Sequence, residues 1–136
     1  MFLRMFALPF AIFTGTGYAN NFPIEIIEYI DQTRVVAFVN KEDIDRELQW
    51  VPFEGPPPLT LADSLKAVQE YIATNPELTD AVLTEIELKR IPQHERHWHY
   101  LARLKTDTGD KPRSWFLIVL MSGKVISGLR EPEGIK

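Results

Sequence analysis

The chain has 136 residues, which is enough for one domain and too few for two of ordinary size. Its formal charge of −4, from 15 Lys+Arg and 19 Asp+Glu, comes without a basic cluster. That argues against nucleic acid as a partner, because phosphate binding needs grouped cations. There is no cysteine, so disulfides, thiol catalysis, thiolate metal sites and a lipidated N-terminal Cys are excluded.

Residues 1–19 read as a secretory leader. Arg4 supplies the positive start, residues 5–13 a compact apolar run, and Thr14-Gly15-Thr16-Gly17-Tyr18-Ala19 a small-residue exit. Gly17 and Ala19 then stand at the −3 and −1 positions of a cleavage site. The apolar run is far shorter than the ~20 residues needed to span a bilayer. The expected destination is periplasmic or extracellular, with membrane contact only through the leader during export. A buried N-terminal strand or helix is the alternative, and an uncleaved anchor a further one.

Residues 24–30 mix strand and helix periods, whereas Arg34-Val35-Val36-Ala37-Phe38-Val39 is β-branched and aromatic. With Asp31-Gln32-Thr33 as the turn between them, they are read as a hairpin. Residues 40–47 are charged and suit a short helical turn. Trp50 and Phe53 are large aromatics in need of cover, and Glu54-Gly55-Pro56-Pro57-Pro58 is a stiff spacer leading into a helix.

That helix starts at Thr60, a good N-cap, with Asp63 placed to complete an acidic capping box. Leu61, Leu65, Val68 and Ile72 form its expected inward stripe, widened by Ala62, Ala67 and Tyr71. Asn75-Pro76 ends it. A first strand over 82–91 puts Val82, Ile86 and Leu88 inward and Glu85, Glu87 and Lys89 outward. Residues 91–96 read as a polar loop. A strand over 97–106 turns Trp98, Tyr100, Ala102 and Leu104 inward and leaves His97, His99, Leu101, Arg103 and Lys105 on an outer, mostly polar face. After an Asp/Gly/Pro turn, residues 114–121 are apolar on both faces, as in an interior strand covered on both sides. A helix covers only one of those faces. The other, reached by either Trp115 or Phe116, needs the 24–39 hairpin, Trp50 and Phe53, or another chain. Ser122-Gly123-Lys124 is a tight turn and residues 125–129 a last short strand.

The expected architecture is α+β: one helix packed on a curved antiparallel sheet, with an N-terminal hairpin. The expected divisions are a leader at 1–19, the hairpin and Pro-rich connector at 20–58, the α+β domain at 59–129 and a polar tail at 130–136.

Residues 59–129 resemble the PepSY-like domains of exported bacterial proteins. The resemblance is carried by Leu59-Thr60-Leu61-Ala62-Asp63-Ser64-Leu65, Leu83-Thr84-Glu85-Ile86-Glu87-Leu88, Trp98-His99-Tyr100 and Val119-Leu120-Met121-Ser122-Gly123-Lys124-Val125-Ile126. It implies a helix on an antiparallel sheet, similar in outline to cystatin-like folds. It also implies export and a binding or inhibitory role, and it supplies no catalytic residues.

Chemistry-bearing features are few. In a strand, His97 and His99 project from one face about 6–7 Å apart, with His94 in the preceding loop. These three are the candidate metal ligands, with Glu95 or Glu87 as a fourth. The simpler reading is that residues between Trp98 and Tyr100 face solvent. Glu85 and Glu87 share an outer face with Arg103 and Lys105, which suits cross-strand ion pairs better than a pair of catalytic acids. None of Ser64, Ser114, Ser122 and Ser127 sits in a nucleophile elbow. The leading expectation is an exported, non-enzymatic module recognising a protein or peptide, without a cofactor. An exported metal-binding protein using His94, His97 and His99 is the alternative. Monomer and homodimer are both open.

Overall fold

The computed structural model describes residues 22–107 and 112–130. The leader reading, and all of the expected polar tail except Arg130, lie outside the described residues. Among the described residues the fold is α+β, with two helices and two antiparallel sheets.

The chain opens with the expected hairpin, β1 (Ile24–Ile30) and β2 (Thr33–Val39). Asp31 and Gln32 close it with φ of 49° and 67°. Two left-handed residues give the tight turn whose twist matches that of paired strands, so Thr33 is drawn into β2. Helix α1 (Lys41–Arg46) follows and buries Ile44 completely. Thr60 caps helix α2 (Leu61–Thr74) as expected, the Asp63 N–H donating to Thr60 Oγ1 at 3.1 Å, while the return bond from the Thr60 N–H to the Asp63 carboxylate that would complete a capping box is not made. A single 3-10 turn (Pro76–Leu78) then leads to β3 (Val82–Ile91), β4 (His94–Thr106), β5 (Arg113–Leu120), β6 (Val125–Ser127) and β7 (Leu129–Arg130).

These strands make a four-stranded sheet in the order β3-β4-β5-β6 and a three-stranded sheet in the order β1-β2-β7. The chain passes from the first sheet to the second at Gly128, where β7 pairs with β2. The second sheet arises because the hairpin gains this third strand. Its inward residues Ile26, Ile30, Val35, Ala37 and Val39 pack with Ile44, Leu101, Phe116, Ile118 and Leu120. The far face of the larger sheet carries a separate core: Tyr100, Ala102, Leu104, Leu117, Val119 and Met121 beneath Val68 and Leu78. β5 is therefore covered on both sides. Phe116 points to the smaller sheet and Trp115 packs on the helix side. Of the covers expected for that second face, the hairpin supplies it. Trp50 packs edge-on against Trp98 at 5.0 Å, and Phe53 is fully exposed.

The single last strand expected over 125–129 is divided at Gly128 into β6 and β7, and Arg130, expected in the polar tail, pairs with Val35. Four further details differ from expectation, each for a local reason. In α2 the buried positions are Ser64 and Val68, with Ala67, Tyr71 and Ile72 half-buried, while Leu61 and Leu65 are exposed. The helix lies over β5 and β6, so only the face turned to those strands is covered. In β3 the inward residues are Leu83, Ile86 and Leu88, and Val82 is exposed. The register slips between Leu83 and Glu85, and the extra residue Thr84 reverses the alternation before it. β4 begins at His94 rather than 97, because Pro92-Gln93 alone turns the chain, with Gln93 at φ 65°. Finally, His99 is buried at 1% exposure. The face expected to meet solvent is roofed by the hairpin.

Candidate functional site

Helix α2 covers the β5–β6 side of the larger sheet and leaves Ile86 and Leu88 of β3 half-covered. The Pro-rich segment closes over this gap, but incompletely. An apolar cleft of about 440 Å³ remains, lined by Pro56, Pro57, Thr60, Leu61, Ile86, Leu88 and Tyr100. Tyr100 forms part of its wall and donates its OH to the Leu59 carbonyl at 2.7 Å, fixing the end of the proline run. Burial pushes the Tyr100 phenol above its ordinary value, so it remains a donor. The other end of the segment is held by Trp50. Its Nε1–H donates to the Gly55 carbonyl at 3.0 Å and its backbone N–H to the Arg96 carbonyl at 2.9 Å. The sequence reading of residues 54–58 as a spacer thus describes the stiffness of this wall and misses its role as one. Exposed Leu61 could have flagged the cleft, because an apolar residue directly after an N-cap has no helical turn before it to pack on.

Beside the cleft runs the outer edge of β3. Among the described residues β4 is its only strand partner, and no backbone hydrogen bond joins another segment of them to that edge. Its side chains alternate between Ile86 and Leu88 toward the cleft and Glu85, Glu87 and Lys89 toward the smaller sheet. The expected cross-strand pairing is present once: Glu85 stands opposite Arg103, with Arg103 Nε 3.5 Å from Glu85 Oε2.

The mouth between β1 and β3 holds an ion cluster that sequence reasoning missed. Glu28 lies in the inward alternation of β1, between Ile26 and Ile30. It accepts from Lys89 Nζ at 2.5 Å and from Arg103 Nη2 at 3.3 Å. A charged residue interrupting the series Ile24, Ile26, Ile30 was the available signal. Glu28→Ala will leave Lys89 and Arg103 facing each other without their shared anion. The expected loss is about 2 kcal/mol in urea unfolding, below the cost of breaking a fully buried pair because these groups are partly wet.

The candidate metal ligands are not gathered. His94 and His97 stand edge-on with ring centroids 6.0 Å apart, while His99 lies in the inter-sheet core. Neither ring nitrogen of His99 meets a hydrogen-bond partner among the described residues. Burial, and then Lys89 across the strand pair, lower its pKa to about 4. Among the described residues no three His, Asp or Glu side chains are grouped to hold a metal ion. No family model, curated protein or solved structure matches the chain.

Proposed function

We propose that this chain is an exported, non-catalytic binding module, PepSY-like in the sense of a helix on an antiparallel sheet, that receives an extended segment of a protein partner along the outer edge of β3. The observation that carries this reading is the apolar cleft lying beside an unpaired strand edge. An added strand gains main-chain hydrogen bonds from the edge and places every second side chain on the cleft side. Export is supported by the order of charge, apolar run and small-residue exit within residues 1–19.

Selection from a random-peptide library tests the reading, with Leu61→Asp as the counter-target. Asp is well tolerated in the first turn of a helix, so the variant keeps its fold while placing a charge at the cleft. Peptides with alternating apolar residues should be enriched on the native protein and lost on the variant. No enrichment, or equal binding to both proteins, would remove the proposal.

A further inference from the structure

The β3 edge has two unlike faces, and the second says what kind of segment fits. Toward the cleft it presents Ile86 and Leu88. Toward the smaller sheet it presents Glu85, Glu87 and Lys89. Of the cations on that second face, the two nearest to Glu85 and Glu87 are already engaged, and Lys105 stands further along β4, opposite Val82. Lys89 donates to Glu28 at 2.5 Å, and Arg103 is divided between Glu28 at 3.3 Å and Glu85 at 3.5 Å. Arg90 belongs to the other face and lies 5.9 Å over the Trp98 ring. Glu87 is exposed and has no ion partner among the described residues, and the Glu85 side chain keeps 55% of its surface open. The cluster Glu28, Glu85, Glu87, Lys89 and Arg103 therefore holds one more acid than base, and the surplus sits on the exposed edge.

We propose that the partner segment alternates apolar and basic residues, its basic side chains standing opposite Glu85 and Glu87 and its apolar ones entering the cleft beside Ile86 and Leu88. The proposal rests on the edge-binding reading above and specifies the partner for it. Directly opposed residues on paired strands bring their Cβ atoms to about 4.5–5.5 Å, close enough for a Lys or Arg to meet each glutamate. The run of basic positions is short, because a residue opposite Lys89 would meet a cation. The pattern is therefore basic-apolar-basic-apolar, followed opposite Lys89 by a neutral or acidic residue.

The test is a set of synthetic peptides with valine at alternate positions and Lys, Ser or Glu between them, titrated against the purified protein. The Lys series should bind on the order of tenfold tighter than the Ser series, from two opposed charge pairs, and the Glu series more weakly than either. Added salt should narrow the gap. In Glu87→Gln, a change at an exposed side chain, the Lys advantage should shrink, and in Glu85→Gln/Glu87→Gln it should vanish. Equal binding of Lys and Ser peptides to the native protein would overturn the proposal, as would a Lys advantage that survives in the double variant. In either case, Ser-series binding that is lost in Leu61→Asp would leave the edge-binding reading standing. Failure of every series would sink that reading itself.

Discussion

Lowering the pH from 6.5 to 4 is expected to cost this protein about 3 kcal/mol of folding stability through His99 alone. The folded pKa of about 4 lies below the ordinary value of 6.5. As pH falls through 6.5 the unfolded chain takes up a proton on this ring, while the folded chain does not until about 4. The unfolded state therefore binds more protons throughout this window, and stability must fall as the medium becomes more acidic. Below the folded pKa both states are protonated and the loss from this residue stops growing. The first cause is the absence of water around a ring that is 1% exposed. The second is Lys89, directly opposite on β3. Urea midpoints measured across the window test the expectation, with His99→Leu as the reference. The variant should lack the His99 share of the slope. Parallel curves for the two proteins would show that His99 does not control it.

Phe116→Ala is expected to be the most damaging single truncation, at about 3–5 kcal/mol. The ring is 1% exposed and lies in the core between the two sheets. It also sets the crossing of the chain from β6 to β7. The Gly128 N–H donates to the Phe116 carbonyl at 3.0 Å. A Cβ on Gly128 would lie 2.7 Å from two atoms of the ring. Glycine is needed there for space, since Phe116 is too enclosed to swing aside. Gly128→Ala should therefore cost about 1–3 kcal/mol in the native background. In a Phe116→Ala background it should cost much less, because the obstructing ring is gone. Thermal or urea unfolding of both single variants and the double variant measures this coupling. Strict additivity would mean that the glycine is required for another reason.

Elements with strong local signals were legible from the sequence. Thr60 and Pro76 bracketed α2, the β-branched run at 34–39 gave β2, and the double-faced apolar run at 114–121 announced an interior strand that needed a second cover. The hairpin is one of the covers that the sequence offers for it. What escaped depended on contacts between segments far apart in the chain. Period-two reading assigned His99 to a face but could not show that β1 and β2 lie over that face. Leu61 and Leu65 fit a helical stripe, yet the position of α2 over β5 and β6 decides which part of the stripe is covered. β7 has two residues, too few for any pattern. The cleft required the proline segment, the helix start and β3 to be placed together. Glu28 was the exception, since its interruption of an apolar alternation was visible locally.

The way the inter-sheet core is assembled also constrains the order in which the molecule can form. Its inward residues come from 26–44 on one side and 91–120 on the other. During synthesis the hairpin emerges before the larger sheet, with Ile26, Val35, Ala37 and Val39 having only Ile44 to pack against. A lone two-stranded hairpin is marginal in water. It must therefore wait through some sixty residues of chain, Pro-rich segment and helix included, for Leu101, Phe116 and Ile118 to arrive. Folding of this protein is thus a late and collective event in the life of the growing chain, and until then its earliest strands are held together by little more than their turn.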